Sequence, residues 1–433
     1  MNVDNLPGAP FLARRGPDLW LDGVRLADVA AEFGTPLYVY SRNAMRHAAA
    51  AYQRALAGRA HLLCYAMKAN SSLAVLKTFA DLGLGFDIVS AGELARVIAA
   101  GADPAKVVFS GVGKKPDEMR AALLAGVKCF NVESDAELDT LSQVATDLGR
   151  TAHISLRVNP DVDAQTHPYI STGLKGNKFG VAHEQARAVY RRAATLPGIH
   201  VTGIDCHIGS QITTVAPYLD ALDRLLDLIE QIEADGVPIA HIDLGGGLGI
   251  TYTDEQPPAA DEMVGQLLAR IDARGHSHRE VLMEPGRSLV GNAGVLLTEV
   301  LVLKPGGVDG VEEGAKNFCI VDAAMNDLAR PAMYQAWMGI VPCQQRADAP
   351  LTWDVVGPVC ESGDWLGRDR NLAVQSGDVL AVLSAGAYGM SMASNYNTRP
   401  RAAEIMLDGP RVHLIRERED TRSLFAGERL IDA

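Results

Sequence analysis

Lys68 closes an apolar run, HLLCYAMKAN (residues 61–70), in which five of the first seven residues are plainly apolar. Further along, reactive or charged residues again follow directly on short apolar stretches. Asp87 and Ser90 close GFDIV (85–89), Arg157 and Asn159 end HISLRV (153–158), and HIGS carries His207 to Ser210. GGGLG (245–249) follows HIDL, and EPGR (284–287) ends with Arg287. Taken singly, each has an ordinary explanation. A strand-end lysine is usually solvated along its stem, a triple glycine can be a tight turn, a lone histidine is commonly a satisfied core residue, and Glu284 could serve a structural ion pair. Their chemistry becomes specific only if one fold gathers them.

The intervening sequence supplies such a fold. Between about 61 and 290, eight short apolar runs (61–66, 85–89, 107–110, 129–132, 153–158, 203–208, 241–244 and 281–284) alternate with stretches of helical period. SLAVLKTFADLG, AGELARVIAAG, SDAELDTLSQVATDLG and YLDALDRLLDLIEQIEADG are four of these stretches, and several end on a glycine suited to a helix C-terminus. Strands separated by helices run parallel, and eight such units close into a TIM-type (β/α)8 barrel. An open doubly wound sheet is the alternative, but no G-x-G-x-x-G follows the first strand. After 290, GVLLTEVLVL, NFCIVDA, TWDVVGPVC, DVLAVLS and EIMLDGPRVHLI lack helices between them, predicting an antiparallel β-barrel-like domain. The expected division is a barrel over 36–290 and a β domain over 291–433, joined by the segment 1–35.

In such a barrel the C-terminal strand ends form one rim, and the loops after strands seven and eight often bind phosphate. Lys68, Asp87, His207, Ser210, Gly245, Gly246, Gly247 and Glu284 all map there. An amine, an imidazole, a phosphate cradle and a carboxylate on one rim suggest pyridoxal 5'-phosphate held by a Schiff base to lysine. Lys68 then carries the cofactor, Ser210 and the amides of 245–247 take the phosphate, and His207 lies against the ring. Glu284 hydrogen-bonds the ring nitrogen and favours its charged form.

Composition narrows the partners. The chain has 433 residues, 48% hydrophobic and 21% charged, with a formal net charge of -13. That balance speaks against non-specific binding to nucleic acid or anionic membranes. The N-terminus has no apolar core of signal-peptide length, and no run of about 18 apolar residues suggests a membrane span. The six cysteines form no close pair, so no metal site is expected and a reducing cytoplasm fits best.

Longer stretches carry a family resemblance. YAMKAN, GFDIVSAGEL, STGLKGNKFGV, HIGSQ, DLGGGLGI, EPGRSLV, MNDLARPAMY, GPVCESGDWL and GAYGMSMASNYN, spanning residues 65 to 397, closely resemble the diaminopimelate decarboxylases. These belong to the alanine-racemase-like fold class of pyridoxal-phosphate enzymes. The glycine motif is shared with ornithine and arginine decarboxylases, whereas STGLKGNKFG and CESGDWL are far more specific. The resemblance implies a homodimer with active sites at the subunit interface. It makes Lys68 the Schiff-base lysine and puts Gly246, Glu284, Pro285, Gly286, Arg287 and Tyr388 on the cofactor. Arg287, Arg330, Tyr334, Glu361 and Tyr388 would bind substrate, and Cys360 would donate a proton, coming with Glu361 from the partner chain. Alone, Cys360 would read as an inert buried thiol. MYQAWM (333–338) departs from the family's more polar end to this stretch but retains Tyr334.

The implied reaction is loss of CO2 from the D-centre of meso-2,6-diaminopimelate, giving L-lysine. A distal carboxylate wants a bidentate partner, which Arg287 and Arg330 can supply, and a distal ammonium wants Glu361. A decarboxylase of ornithine, arginine or carboxynorspermidine would share the cofactor residues. An alanine racemase would place arginine at the ring nitrogen, and a non-catalytic regulatory homologue would not need Lys68, Cys360 and Glu361.

Overall fold

The computed structural model describes residues 6–163, 172–173, 177–307 and 316–431. Within the quoted stretch 171–181, Ser171 and residues 174–176 lie outside the described residues. The chain divides into two compact units, one made of Arg46–Ile250 with Gln256–Leu289, the other of the chain up to Met45, Thr251–Glu255 and the chain from Val290 onward.

The first unit is a closed parallel barrel. Its strands are β1 (His61–Ala66), β2 (Gly85–Ile88), β3 (Val107–Phe109), β4 (Cys129–Val132), β5 (Ala152–Asn159), β6 (Ile199–Asp205), β7 (His241–Asp243) and β8 (Glu280–Met283). Each pairs in parallel with the next, and β8 closes on β1 through Val281↔His61 and Leu282↔Leu62. A two-residue strand, Val181–Ala182, is added beside β5. The strands are almost wholly buried because helices cover them outside and side chains fill the interior, the condition that favours continuous apolar runs. The sixth strand differs most from expectation. It begins at Ile199 and ends at Asp205, so Cys206, His207 and Ile208 belong to the loop beyond it.

Local sequence explains how the helices start and stop. Ser90 and Ser134 accept hydrogen bonds from the backbone of Glu93 and Glu137 at 3.2 Å, capping Ala91–Ala99 and Asp135–Asp147. Gly126, at φ 77°, ends Pro116–Ala125 in the left-handed conformation that a side chain disfavours.

The second unit carries a nine-stranded sheet. Gly294–Lys304 lies at its centre, antiparallel to Leu37–Ser41, Phe318–Val321 and Val379–Val382. The sheet is mixed, however, and two of its pairings are parallel. Phe318–Val321 runs with Leu351–Val356, and Leu37–Ser41 runs with Ala403–Asp408. In the second, Leu37–Ser41 lies between Gly294–Lys304 and Ala403–Asp408. Leu37–Ser41 falls inside the span 36–290 expected for the barrel domain, yet it pairs within the sheet unit, whose first segment runs to Met45. Leu12, Leu19 and Leu21 pack with Val39, Val295 and Ile405 in one buried cluster, which ties the small N-terminal sheet to this core.

Candidate active site

Strand ends bring the barrel residues together. Lys68 lies in a single 3-10 turn, Met67–Ala69, immediately after β1, and its Nζ donates to Asp87 Oδ2 on β2 at 2.8 Å. Asp87 is fully buried while the Lys68 side chain stays 37% exposed, so the amine is tethered yet accessible. A buried carboxylate holding a lysine is a positioned amine rather than a solvated one.

After β7 the backbone comes unusually close to its neighbours. A Cβ on Gly246 would lie 2.1 Å from the carbonyl oxygen of Glu284. One on Gly247, whose φ is +104°, would lie 2.2 Å from that of Gly209. Any side chain here would push the two loops apart. The Gly246 amide donates to His207 Nδ1 at 3.2 Å. That bond makes Nδ1 the acceptor and leaves the ring proton on Nε2. Burial first, and then Arg157 and Lys68, hold the imidazole well below its usual range, so His207 is neutral near pH 7. Arg287, buried at the start of the helix Arg287–Val290, donates to Ser210 Oγ at 3.0 and 3.3 Å. Pro285 accepts from the Ala66 amide at 3.1 Å, linking the loop after β8 to the end of β1.

Glu284 belongs to a cluster that sequence reading did not find. Asp205 and Asp243 are register partners on β6 and β7, and both face Glu284 with carboxylate oxygens within 4.8 Å of one another. Asn131 donates to Glu284 Oε1 at 3.3 Å, and the Gly245 amide to Asp243 Oδ1 at 2.9 Å. Asp87 Oδ1, Asn131 Oδ1, Asp205 Oδ1 and Asp243 Oδ2 are buried acceptors without a protein donor among the described residues. Burial and mutual repulsion push Glu284 and Asp205 well up, and burial is the main cause that moves Asp243 to about 6. Lys68 opposes the rise at Glu284 and Arg157 that at Asp205. Such a group holds its protons to higher pH than isolated carboxyls do.

A stability prediction arises here. An acid with a folded value near 6 and an ordinary value of 3.8 keeps its proton in the native state after the unfolded chain has lost it. Stability should therefore fall as pH rises from about 4 to about 6. Asp243→Asn preserves the acceptor for Gly245 and has no charge to bury. Its urea midpoint should stay flatter over that window and exceed wild type at pH 7, by up to about 3 kcal/mol in the cofactor-free protein. An unchanged pH slope in the variant would assign the effect to other groups.

The remaining sequence-derived residues lie in the sheet unit. Arg330 is buried at the start of the short helix Arg330–Tyr334, with its guanidinium 5.4 Å from the Tyr252 ring centroid. Tyr334 is half-buried at the end of that helix. Tyr388, also half-buried, has φ 54°, a rare conformation for an aromatic residue. Cys360 and Glu361 are exposed on one loop, so the thiol is not the inert buried kind. Asp364, 3% exposed, organises that loop by accepting from the amides of Val359 and Met325, each at 2.7 Å. The latter bond joins the loop to the segment leading to Arg330.

The barrel rim thus offers an amine, a neutral imidazole, a glycine cradle beside Ser210 and Arg287, and a buried carboxyl. That donor set suits a phosphorylated pyridine aldehyde, and the chain matches the family model "Pyridoxal-dependent decarboxylase, pyridoxal binding domain" over residues 42–291. The diaminopimelate decarboxylase of Pseudomonas aeruginosa is 57% identical over 417 residues, covering 96% of this chain and 98% of its own. The crystal structure of diaminopimelate decarboxylase from M. jannaschii with L-lysine superposes at a TM-score of 0.92, at 36% identity, covering 98% of this chain and 99% of that one. The Helicobacter pylori enzyme complexed with L-lysine gives 0.87 at 38% identity, covering 92% and 98%. The chain belongs to the diaminopimelate decarboxylase family.

Proposed function

We propose that this protein decarboxylates meso-2,6-diaminopimelate to L-lysine with pyridoxal 5'-phosphate as cofactor. The observation that carries the proposal is its likeness to diaminopimelate decarboxylases over 96% of the chain. Pyridoxal phosphate, once bound, supplies a conjugated ring that accepts the electron pair left on the α-carbon as CO2 departs. The chain's own residues do the rest. Lys68 anchors the aldehyde carbon, with Asp87 holding the amine before the cofactor arrives. Ser210, Gly245, Gly246 and Gly247 offer donors to the phosphate, Pro285, Gly286 and Tyr388 line it, and His207 covers a ring face as a neutral imidazole. Glu284 takes the ring nitrogen. Its burial among other acids makes a cationic partner there especially favourable.

Specificity falls to Arg287, Arg330, Tyr334 and Tyr388 at the distal carboxylate and to Glu361 at the distal ammonium. Cys360 Sγ then gives its proton to the former α-carbon, and the resulting thiolate recovers one from solvent. The deciding assay supplies pyridoxal phosphate with meso-diaminopimelate, ornithine or arginine in turn and measures CO2 and product amine. Lysine from diaminopimelate alone is expected, and comparable turnover of ornithine would overturn the assignment.

Homodimerisation with shared sites is part of the proposal, supported by the family resemblance at Cys360 and Glu361. Lys68→Ala and Cys360→Ala proteins should each be nearly inactive. After subunit exchange, half of randomly paired dimers are mixed, with one site doubly lesioned and the other intact. Activity should then recover towards a quarter of wild type. Continued inactivity despite proven exchange would mean that each site is built within one chain. No helix among the described residues is long and apolar enough to cross a membrane. The six unpaired cysteines agree with the cytoplasmic location we propose.

A further inference from the structure

The loop carrying Cys360 and Glu361 is fixed firmly at its ends and lightly in its middle. Asp364 grips Val359 and Met325, the Gly357 amide donates to the Asp364 carbonyl at 3.2 Å, and that of Glu361 to Val359 at 2.8 Å. Between these anchors, Cys360 and Glu361 project as exposed side chains. Two further hydrogen bonds reach the pair from consecutive residues of another segment. The Cys360 amide donates to Asn397 Oδ1 at 3.1 Å, and the Tyr396 hydroxyl donates to Glu361 Oε1. The carboxylate beside it raises the pKa of Tyr396, so the phenol keeps its proton and remains a donor throughout the neutral range.

The segment making these contacts is held in a costly conformation. Asn397 has φ 55° and Thr398 φ 56°. The left-handed region is tolerable for asparagine but a true outlier for a β-branched threonine. Neighbouring bonds enforce it. Asn395 Nδ2 donates to the Arg399 carbonyl at 3.0 Å and to Glu419 at 2.7 Å, while Arg399 Nε donates to Asn326 Oδ1 at 2.9 Å. Backbone strain that the surroundings over-determine is retained where it places something useful. Here it places one acceptor and one donor against the two residues of the Cys360–Glu361 pair.

We propose that Tyr396 and Asn397 are positioning residues, Tyr396 fixing the Glu361 carboxylate for the substrate's distal ammonium and Asn397 fixing the backbone that presents Cys360. The inference rests on the role given to Glu361 above. Glutamate has three rotatable side-chain bonds, and an exposed one wanders unless a donor holds it. With Tyr396 in place, the ordering precedes substrate binding and does not weaken it.

The test compares meso-diaminopimelate with D-2-aminopimelate, which keeps both carboxylates and lacks the distal amine, read as KM or, without turnover, as inhibition constant. Tyr396→Phe should raise KM for diaminopimelate about tenfold, change kcat within about twofold, and leave the aminopimelate value unchanged. Glu361→Gln is run beside it. If Glu361→Gln discriminates between the two ligands and Tyr396→Phe does not, the positioning role fails alone. If Glu361→Gln penalises both equally, the Glu361 assignment fails and takes the proposal with it. Asn397→Gly tolerates the backbone but loses the acceptor, so kcat should fall about tenfold with the cofactor's absorbance intact. Asn397→Asp restores the acceptor and should recover most of that loss. Equal kcat in the Gly and Asp variants would overturn the role of Asn397.

Discussion

Lys68→Ala should lower turnover by at least about 10^4-fold, since it removes both the covalent anchor and a proton-transferring amine. The effect should be chemical rather than structural. Lys68 is partly exposed in a short turn, and Asp87, to which it donates, is held in β2 independently of it. Folding should survive, with a far-UV spectrum and thermal midpoint near wild type. Borohydride treatment of the wild-type holoenzyme should attach the cofactor to the peptide containing residue 68, and the variant should take up none. Label at Lys77 or Lys178 would overturn the assignment. Lys77 already pairs with Asp81 on its own helix, and Lys178 lies 5.3 Å from the Phe179 ring centroid.

Glu284→Gln should give the second large loss, about 10^2- to 10^3-fold in kcat, the scale of removing one preorganised electrostatic contact from a buried site. The amide keeps the shape of the side chain, and its oxygen can still accept from Asn131. Cofactor affinity should therefore stay near normal. What the variant lacks is a negative charge facing the ring nitrogen. Asp205 and Asp243 stand beside it as the last residues of β6 and β7, and burial already disfavours a charge on either. Full activity in Glu284→Gln would show that another group serves the nitrogen. Loss of cofactor binding would show that the acid is chiefly structural.

The two variants test parts of the molecule that were unequally legible in the sequence. The eight barrel strands followed from apolar runs alternating with helical period, because each is buried on both faces and bounded by capped helices. Lys68, His207, Glu284 and Arg287 could be placed on one rim because each lies at or just beyond the end of such a run. Asp205 and Asp243 escaped notice for the opposite reason. They lie inside GIDCHI and HIDL, where an acid reads as an interruption of an apolar strand rather than as an inward-facing residue. Their alternation with His207 and Gly245 at i, i+2 was the available signal. The parallel pairing of Leu37–Ser41 with Ala403–Asp408 could not be read at all, since partners so distant in sequence leave no local pattern. Tyr396 and Asn397 were inside a quoted motif, but hydrogen bonding across 35 and 37 residues is a tertiary fact.

That long-range pairing governs the order in which the molecule can be completed on the ribosome. The residues of the barrel unit are all made by Leu289, whereas Leu37–Ser41, emerging before it, waits for Ala403–Asp408. At typical bacterial-to-eukaryotic elongation rates the 361 residues between Ser41 and Ala403 take about 20 to 70 s to synthesise. During that interval LYVYS, buried at all five positions in the finished sheet, is an apolar strand without one of its neighbours. Nascent chains stalled before residue 403 should therefore expose it to chaperones and proteases, while released full-length chains should protect it.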